Sequence, residues 1–252
     1  MVNHFSTVGI PVSSEADFMK YVNLVFESGK KIKAYGGTYL LLKMGNGIEL
    51  WGQLNTQGEM IGLNPHYKGT AVSTVRLIEK VEDPTDTLLD GRVYSEAEPS
   101  EDGAFAYPFV FDMPDIAAQK IKYPVIREVQ LAAFAHELSV YADEEEYNKA
   151  QETEPKFASE FFIPSGLFEG DEEGGRPSSM GLFGGRVLAA EKLRNPYSDE
   201  YFYYAKVKTL GGEFDVVADP ELVTEEIREG NIISGSFWLT GRLIQKKFKL
   251  FG

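Results

Sequence analysis

Only one stretch of this chain has a clear helical period, and that constrains its fold more than any other feature. In "SSEADFMKYVNLVFESG" (13–29), Phe18, Tyr21, Val22, Val25 and Phe26 recur at i, i+3, i+4, i+7 and i+8, an apolar stripe along one side of a helix. Ser14 stands where an N-cap belongs and Gly29 where a helix stops. The other apolar residues fall in runs cut by Gly, Pro and Asn. With Phe 17, Tyr 13 and Gly 25, the composition favours strands and turns over a helical bundle. The chain should therefore be mainly β.

Around that helix, "STVGIPV" (6–12) reads as a short strand. "KIKAYGGTYLLLKMG" and "GIELWGQLN" read as strands joined by "GNG" (45–47), and "TQGEMIGLNPHYKG" (56–69) as a loop. "TAVSTVRLIEKV" (70–81) is a strand, and "EDPTDTLLDG" has room for a short helix. Further strands are expected over 91–99, 104–113 and 127–142, then a short helix within 143–156. A boundary near Pro155 divides the chain into 1–155 and 156–252. The first part comprises modules at about 1–65 and 70–142. After a loop at 169–181, strands are expected at "LFGGRVLAAEKLRN", at "YFYYAKVKTL" and "GEFDVVAD" around Gly211-Gly212, and at 232–244, with "PELVTEEIREG" a short helix or turn. Along 232–244, Phe237, Leu239 and Leu243 share one face, and Trp238, Thr240 and Arg242 the other. Glycines within that strand suit the bends of a closing barrel.

Composition removes several chemistries. There is no cysteine, so disulfides, thiolate metal sites and a cysteine nucleophile are excluded. The histidines are His4, His66 and His136, so a metal site would need carboxylates. The net charge is −14, concentrated in residues 1–155, which hold 13 basic and 24 acidic residues. Nucleic acid and anionic membrane are poor partners for such a surface, whereas a basic protein is a reasonable one. No G-x-S-x-G elbow, P-loop or G-x-G-x-x-G occurs, and "DEEGG" (171–175) lacks calcium-loop spacing. The opening residues do not read as a signal peptide and no window approaches a membrane helix, so a cytoplasmic location is expected.

"NGIELWGQLN" (46–55) is the most suggestive segment. Glu49, Trp51 and Gln53 share one strand face, and Ile48 and Leu50 the other. With the aliphatic face toward the helix, the Glu-Trp-Gln face would line a cleft as a pocket wall with polar anchors. Its alternative is a solvated outer face. His66 is expected to be exposed in its loop, and His4 to be a surface residue. His136 within "AAFAHELSVY" is expected to be a hydrogen-bonded strand histidine.

"HFSTVGIPV", the helix at 14–28 and "GGTYLLLKMGNGIELW" together resemble a module of the vicinal-oxygen-chelate (glyoxalase/bleomycin-resistance) fold. The resemblance implies paired β-α-β-β-β modules with a ligand cleft between them. It also implies a divalent metal, for which His4 and Glu49 match ligand positions and His136 offers a third. The first strand of the second module has Thr70, Ser73 and Thr74 but no histidine, so the set is incomplete. Residues 156–252 look like an OB-type barrel. Tyr201, Tyr203, Phe237 and Trp238 match the stacking aromatics of such barrels, although this region is acidic apart from the tail "KKFKLFG", and packing is the simpler role for them. The expected protein is thus α+β and mainly β, without catalysis or cofactor, binding a small molecule or protein partner near Glu49, Trp51, Gln53 and His136. A metal-dependent enzyme using His4, Glu49 and His136, and an acidic inhibitor of a basic protein, are the alternatives.

Overall fold

A computed structural model describes residues 2–97, 107–152, 155–164 and 178–244. The chain is mainly β. The expected helix is α1, Glu15–Ser28: the Ser14 side chain accepts a hydrogen bond from the Asp17 amide, and Val22 and Val25 are buried. β1 (Lys30–Ala34), β2 (Gly37–Gly45), β3 (Ile48–Leu54) and β4 (Met60–Tyr67) form an antiparallel meander in sequence order. Asn46 and Gly47 both have positive φ at the β2–β3 turn, the geometry that "GNG" anticipates.

The remaining strands form a nine-stranded sheet. They are β5 (Val72–Val81), β6 (Arg92–Glu96), β7 (Pro108–Asp112), β8 (Val125–Tyr141), β9 (Phe161–Pro164), β10 (Met180–Arg194), β11 (Tyr201–Thr209), β12 (Gly212–Ala218) and β13 (Ile232–Leu243). A short helix α2, Glu144–Ala150, lies between β8 and β9. β8 and β13 pair antiparallel from Ile232–Tyr141 to Leu243–Val129, and this pair closes two rings. One runs β8–β12–β11–β10–β13, the other β8–β5–β6–β7–β13. The division expected at Pro155 therefore does not separate the sheet. The ring built on residues 156–252 is completed by β8, from before that point.

The middle of β8, residues 129–135, is buried on both faces, which explains its unbroken "LAAFA". Val129, Leu131, Ala133 and Ala135 join Phe183, Phe214, Phe237 and Leu239 in the larger core. Ala132 and Phe134 point the other way, into a second core with Val22, Val25, Leu42, Leu50 and Trp238. The helix-backed meander thus packs against the outside of the β8–β13 wall.

Three local expectations are corrected. Residues 6–12 are not a strand: Ser6–Val8 is a 3-10 turn closed by Gly9 at φ 67. The loop expected at 56–69 contains β4, although Pro65 lies within the strand, opposite Leu50. Its turn is made by Asn55, whose side-chain oxygen accepts from the Gln57 and Glu59 amides. No helix forms over 82–91. Asp83 binds the Thr85 amide and Asp90 the Thr87 amide, local bonds that compete with a helix. The carboxylate run 171–175, residues 98–99 and 104–106 of the expected strands, and the tail 246–252 lie outside the described residues. Among the described residues no helix is long and apolar enough to cross a membrane.

Candidate functional site

β3 is buried along its whole length, so the solvated-face alternative for Glu49 does not hold. Ile48, Leu50 and Leu54 pack in the same core as α1. The opposite face meets β13 and the segments 82–91 and 113–119. There Glu49, 2% exposed, accepts from Arg242 Nη1 at 3.0 Å and from Trp51 Nε1 at 3.2 Å, both through Oε2. Arg242 also donates through Nη2 to Asp115 at 3.2 Å, and its guanidinium lies 4.6 Å from the Trp51 ring centroid. Glu49 Oε1, Asp115 Oδ1 and Arg242 Nε are buried without partners. Three segments far apart in sequence are thereby tied at one charged point. Tyr39 secures the covering segments, donating to the Leu89 carbonyl at 2.6 Å and accepting from the Ala117 amide at 3.1 Å.

Beside this tie lies a cleft of about 250 Å³ between the meander and the β8–β13 wall. The meander contributes Gln53, Asn64 and Pro65 to it, β13 contributes Trp238 and Thr240, and Asp112 closes one wall. Ser179 Oγ donates to Asp112 Oδ1 at 3.0 Å and Trp238 Nε1 to Oδ2 at 2.5 Å. Burial pushes the Asp112 carboxyl up to about 6, against the lowering effect of these two donors and of Arg92. Its side chain is nevertheless 32% accessible, so a cleft occupant can reach it. Arg92 binds Asp86 at 2.9 Å and Asp83 at 3.3 Å, with Asp112 at 3.9 Å. Asp90 Oδ1 accepts from Gln53 and Oδ2 from Thr87, while Asp86 Oδ2 is buried with no partner.

The four residues expected to form one pocket are distributed over three places. Gln53 lines the cleft, whereas Glu49 and Trp51 belong to the charged tie. His136 lies elsewhere, with its Nε2 2.7 Å from His4 Nε2. His4 stacks on Trp238 at 4.1 Å between centroids and 8° between planes, so it is not a free surface residue. Burial, then the neighbouring His136, lowers His4 to about 4, and burial lowers His136. His4, Glu49 and His136 do not converge, because no group of three or more His, Asp or Glu suited to a metal occurs among the described residues. His4 and His136, with no third ligating group gathered on them among the described residues, and a Glu49 already matched by Arg242, do not fit the divalent metal that the family resemblance implies.

His66 is the opposite of its expected exposed position. It is fully buried, with Nδ1 2.8 Å from Thr240 Oγ1 and Nε2 3.0 Å from Gln130 Oε1. Burial, then the nearby Arg242, lowers it to about 3. Gln130 donates onward to Asp215, which also accepts from the Thr70 and Ala71 amides and the Tyr204 hydroxyl. This network joins β4, β8, β11, β12 and β13.

Sequence reasoning did not single out Asp112, Asp90 or Arg92. One signal was available: "VFDMPD" sets a carboxylate against an apolar strand run, as "IELW" does with Glu49. Comparison with protein-family models, curated proteins and solved structures gave no match to this chain.

Proposed function

We propose that this protein is a non-catalytic binder of a small polar molecule, held in the cleft between the helix-backed meander and the β8–β13 wall. One observation carries the reading: a cleft of about 250 Å³ mixes apolar walls, among them Leu89, Met113 and Trp238, with convergent polar groups from five separate segments, the meander, 86–92, Asp112, Ser179 and Thr240. The volume lies just below the usual range for drug-sized ligands and suits a compact metabolite. Among the described residues no imidazole lines the cleft, so a serine–histidine pair is not assembled there. In this reading the meander acts as a vicinal-oxygen-chelate-like module that has lost its metal set, and the β8–β13 ring as an OB-like barrel. The test is a fragment screen on isotopically labelled protein, read by amide and indole chemical shifts. Hits should concentrate on Gln53, Gly91, Met113 and Trp238. Hits scattered over the surface, or none, would remove the proposal.

A second reading has a separate observation. An open depression is lined by Glu200, Asp219 and Glu221 with Tyr201, and among the described residues by no lysine or arginine. It favours a basic protein partner, which a pull-down would lose as salt rises.

A further inference from the structure

We propose that the ligand of the inter-sheet cleft is an organic cation, a compact molecule carrying one ammonium or guanidinium group on an apolar body. This inference rests on the binding reading above and specifies the ligand. The lining holds three carboxylates, Asp86, Asp90 and Asp112, and one base, Arg92. That base is already engaged: its guanidinium binds Asp86 and also Asp83, a fourth carboxylate just outside the lining. Among the described residues that line the cleft, carboxylates therefore outnumber basic groups three to one.

Hydrogen bonding points the same way. Asp90 has both oxygens occupied, by Gln53 and Thr87. Asp86 Oδ2 has no donor although it is buried. Asp112 accepts one bond at each oxygen but has room for more, since a carboxylate offers about four acceptor sites. The unmet capacity is therefore for donors, and an ammonium supplies three together with the missing charge. An anion would meet the excess of carboxylates with its own charge buried, and a neutral alcohol would leave the imbalance in place. Leu89, Pro65, Met113 and Trp238 provide the surface for an apolar body. Burial holds Asp112 above the usual carboxylate range, and the neighbouring Asp86 adds a smaller push in the same direction.

The experiment uses three probes of matched shape: 2-phenylethylammonium, 2-phenylethanol and phenylacetate. Binding is measured by titration calorimetry on the full chain, with the Trp238 indole ¹H–¹⁵N resonance reporting the site and that of Trp51 as internal control. The ammonium should bind roughly tenfold or more tightly than the alcohol, with phenylacetate weakest, and it should move the Trp238 resonance but not that of Trp51. The Asp86→Asn/Asp112→Asn double variant should remove the preference for the ammonium over the alcohol. If the alcohol or the carboxylate binds at Trp238 as tightly as the ammonium, the cation assignment fails while the cleft stands as a binding site. If none of the three moves the Trp238 resonance, both the assignment and the binding reading fail. The wild-type probe series decides the matter even if the double variant does not fold.

Discussion

Replacing Arg242 with Met should be among the most destabilising single changes on the β13 face. Arg242 offsets Glu49, 2% exposed, and Asp115, 4% exposed, both of which already have one oxygen without a partner. Removing the guanidinium leaves two buried carboxylates side by side. Breaking a buried ion pair from one side costs about 3–5 kcal/mol, and losing the cation over Trp51 adds about 0.5–1 kcal/mol. Arg242 is itself 24% exposed, which keeps its charge partly hydrated and places the expected loss near the lower end, about 3 kcal/mol. In a chain of this size that is a fall in Tm of roughly 6–12 °C. The informative comparison is with the charge-free triple variant Glu49→Gln/Asp115→Asn/Arg242→Met. Its groups no longer carry buried charge, so it should recover about half or more of the loss. Urea denaturation at neutral pH measures both. A single variant within about 0.5 kcal/mol of wild type, or a triple variant no more stable than the single, would show that the tie is not a desolvated ion cluster.

Other predictions concern protons and close packing. His66 is held neutral at about 3, so the folded state binds fewer protons than the unfolded chain between pH 6.5 and 3. Its contribution is present above pH 6.5 and is lost as pH falls, on the order of 4 kcal/mol by pH 3, and His66→Gln should flatten that part of the stability–pH curve. Asp112 has the opposite sign: with its carboxyl raised to about 6, the folded state holds the extra proton, so wild-type stability relative to Asp112→Asn should fall as pH rises from 4 to 6. Affinity for an organic cation should weaken over the same interval as pH is lowered, measurable by calorimetry. Gly69→Ala would place a methyl 2.1 Å from the Asp215 carboxyl carbon, displacing Asp215 from Gln130 and the Thr70 and Ala71 amides. A loss of about 2 kcal/mol or more in urea denaturation is expected. His4→Ala should uncover the Trp238 face, seen as a red shift in emission that a Trp51→Phe background isolates.

What could be read in the sequence was what neighbouring residues decide. The period of Phe18, Tyr21, Val22 and Val25, the Ser14 cap and the "GNG" turn each act within a few residues, and they locate α1 and the β2–β3 hairpin. β4 was hidden because Gly62 and Pro65 are turn formers in isolation. In the folded chain Gly62 lies against the Gln53 side chain, whose amide oxygen a Cβ would meet at 2.4 Å and displace. His66 was misjudged for the same reason, its burial being set by Thr240 and Gln130. The face alternation correctly put Glu49, Trp51 and Gln53 on one side and Trp238, Thr240 and Arg242 on another. That these two faces meet depends on how the meander docks on β13, which no local pattern encodes. The cleft was less legible still, since Asp90, Arg92, Asp112 and Trp238 acquire their meaning only from one another.

A crystal structure grown with 2-phenylethylammonium measures most directly whether the inter-sheet cleft is a cation-binding site. The predicted result is the ammonium nitrogen within about 3 Å of Asp112 and Asp86 carboxylate oxygens, with the phenyl ring against Leu89 and Met113. An empty cleft at saturating amine, or an amine seated with its nitrogen turned away from both carboxylates, would contradict it.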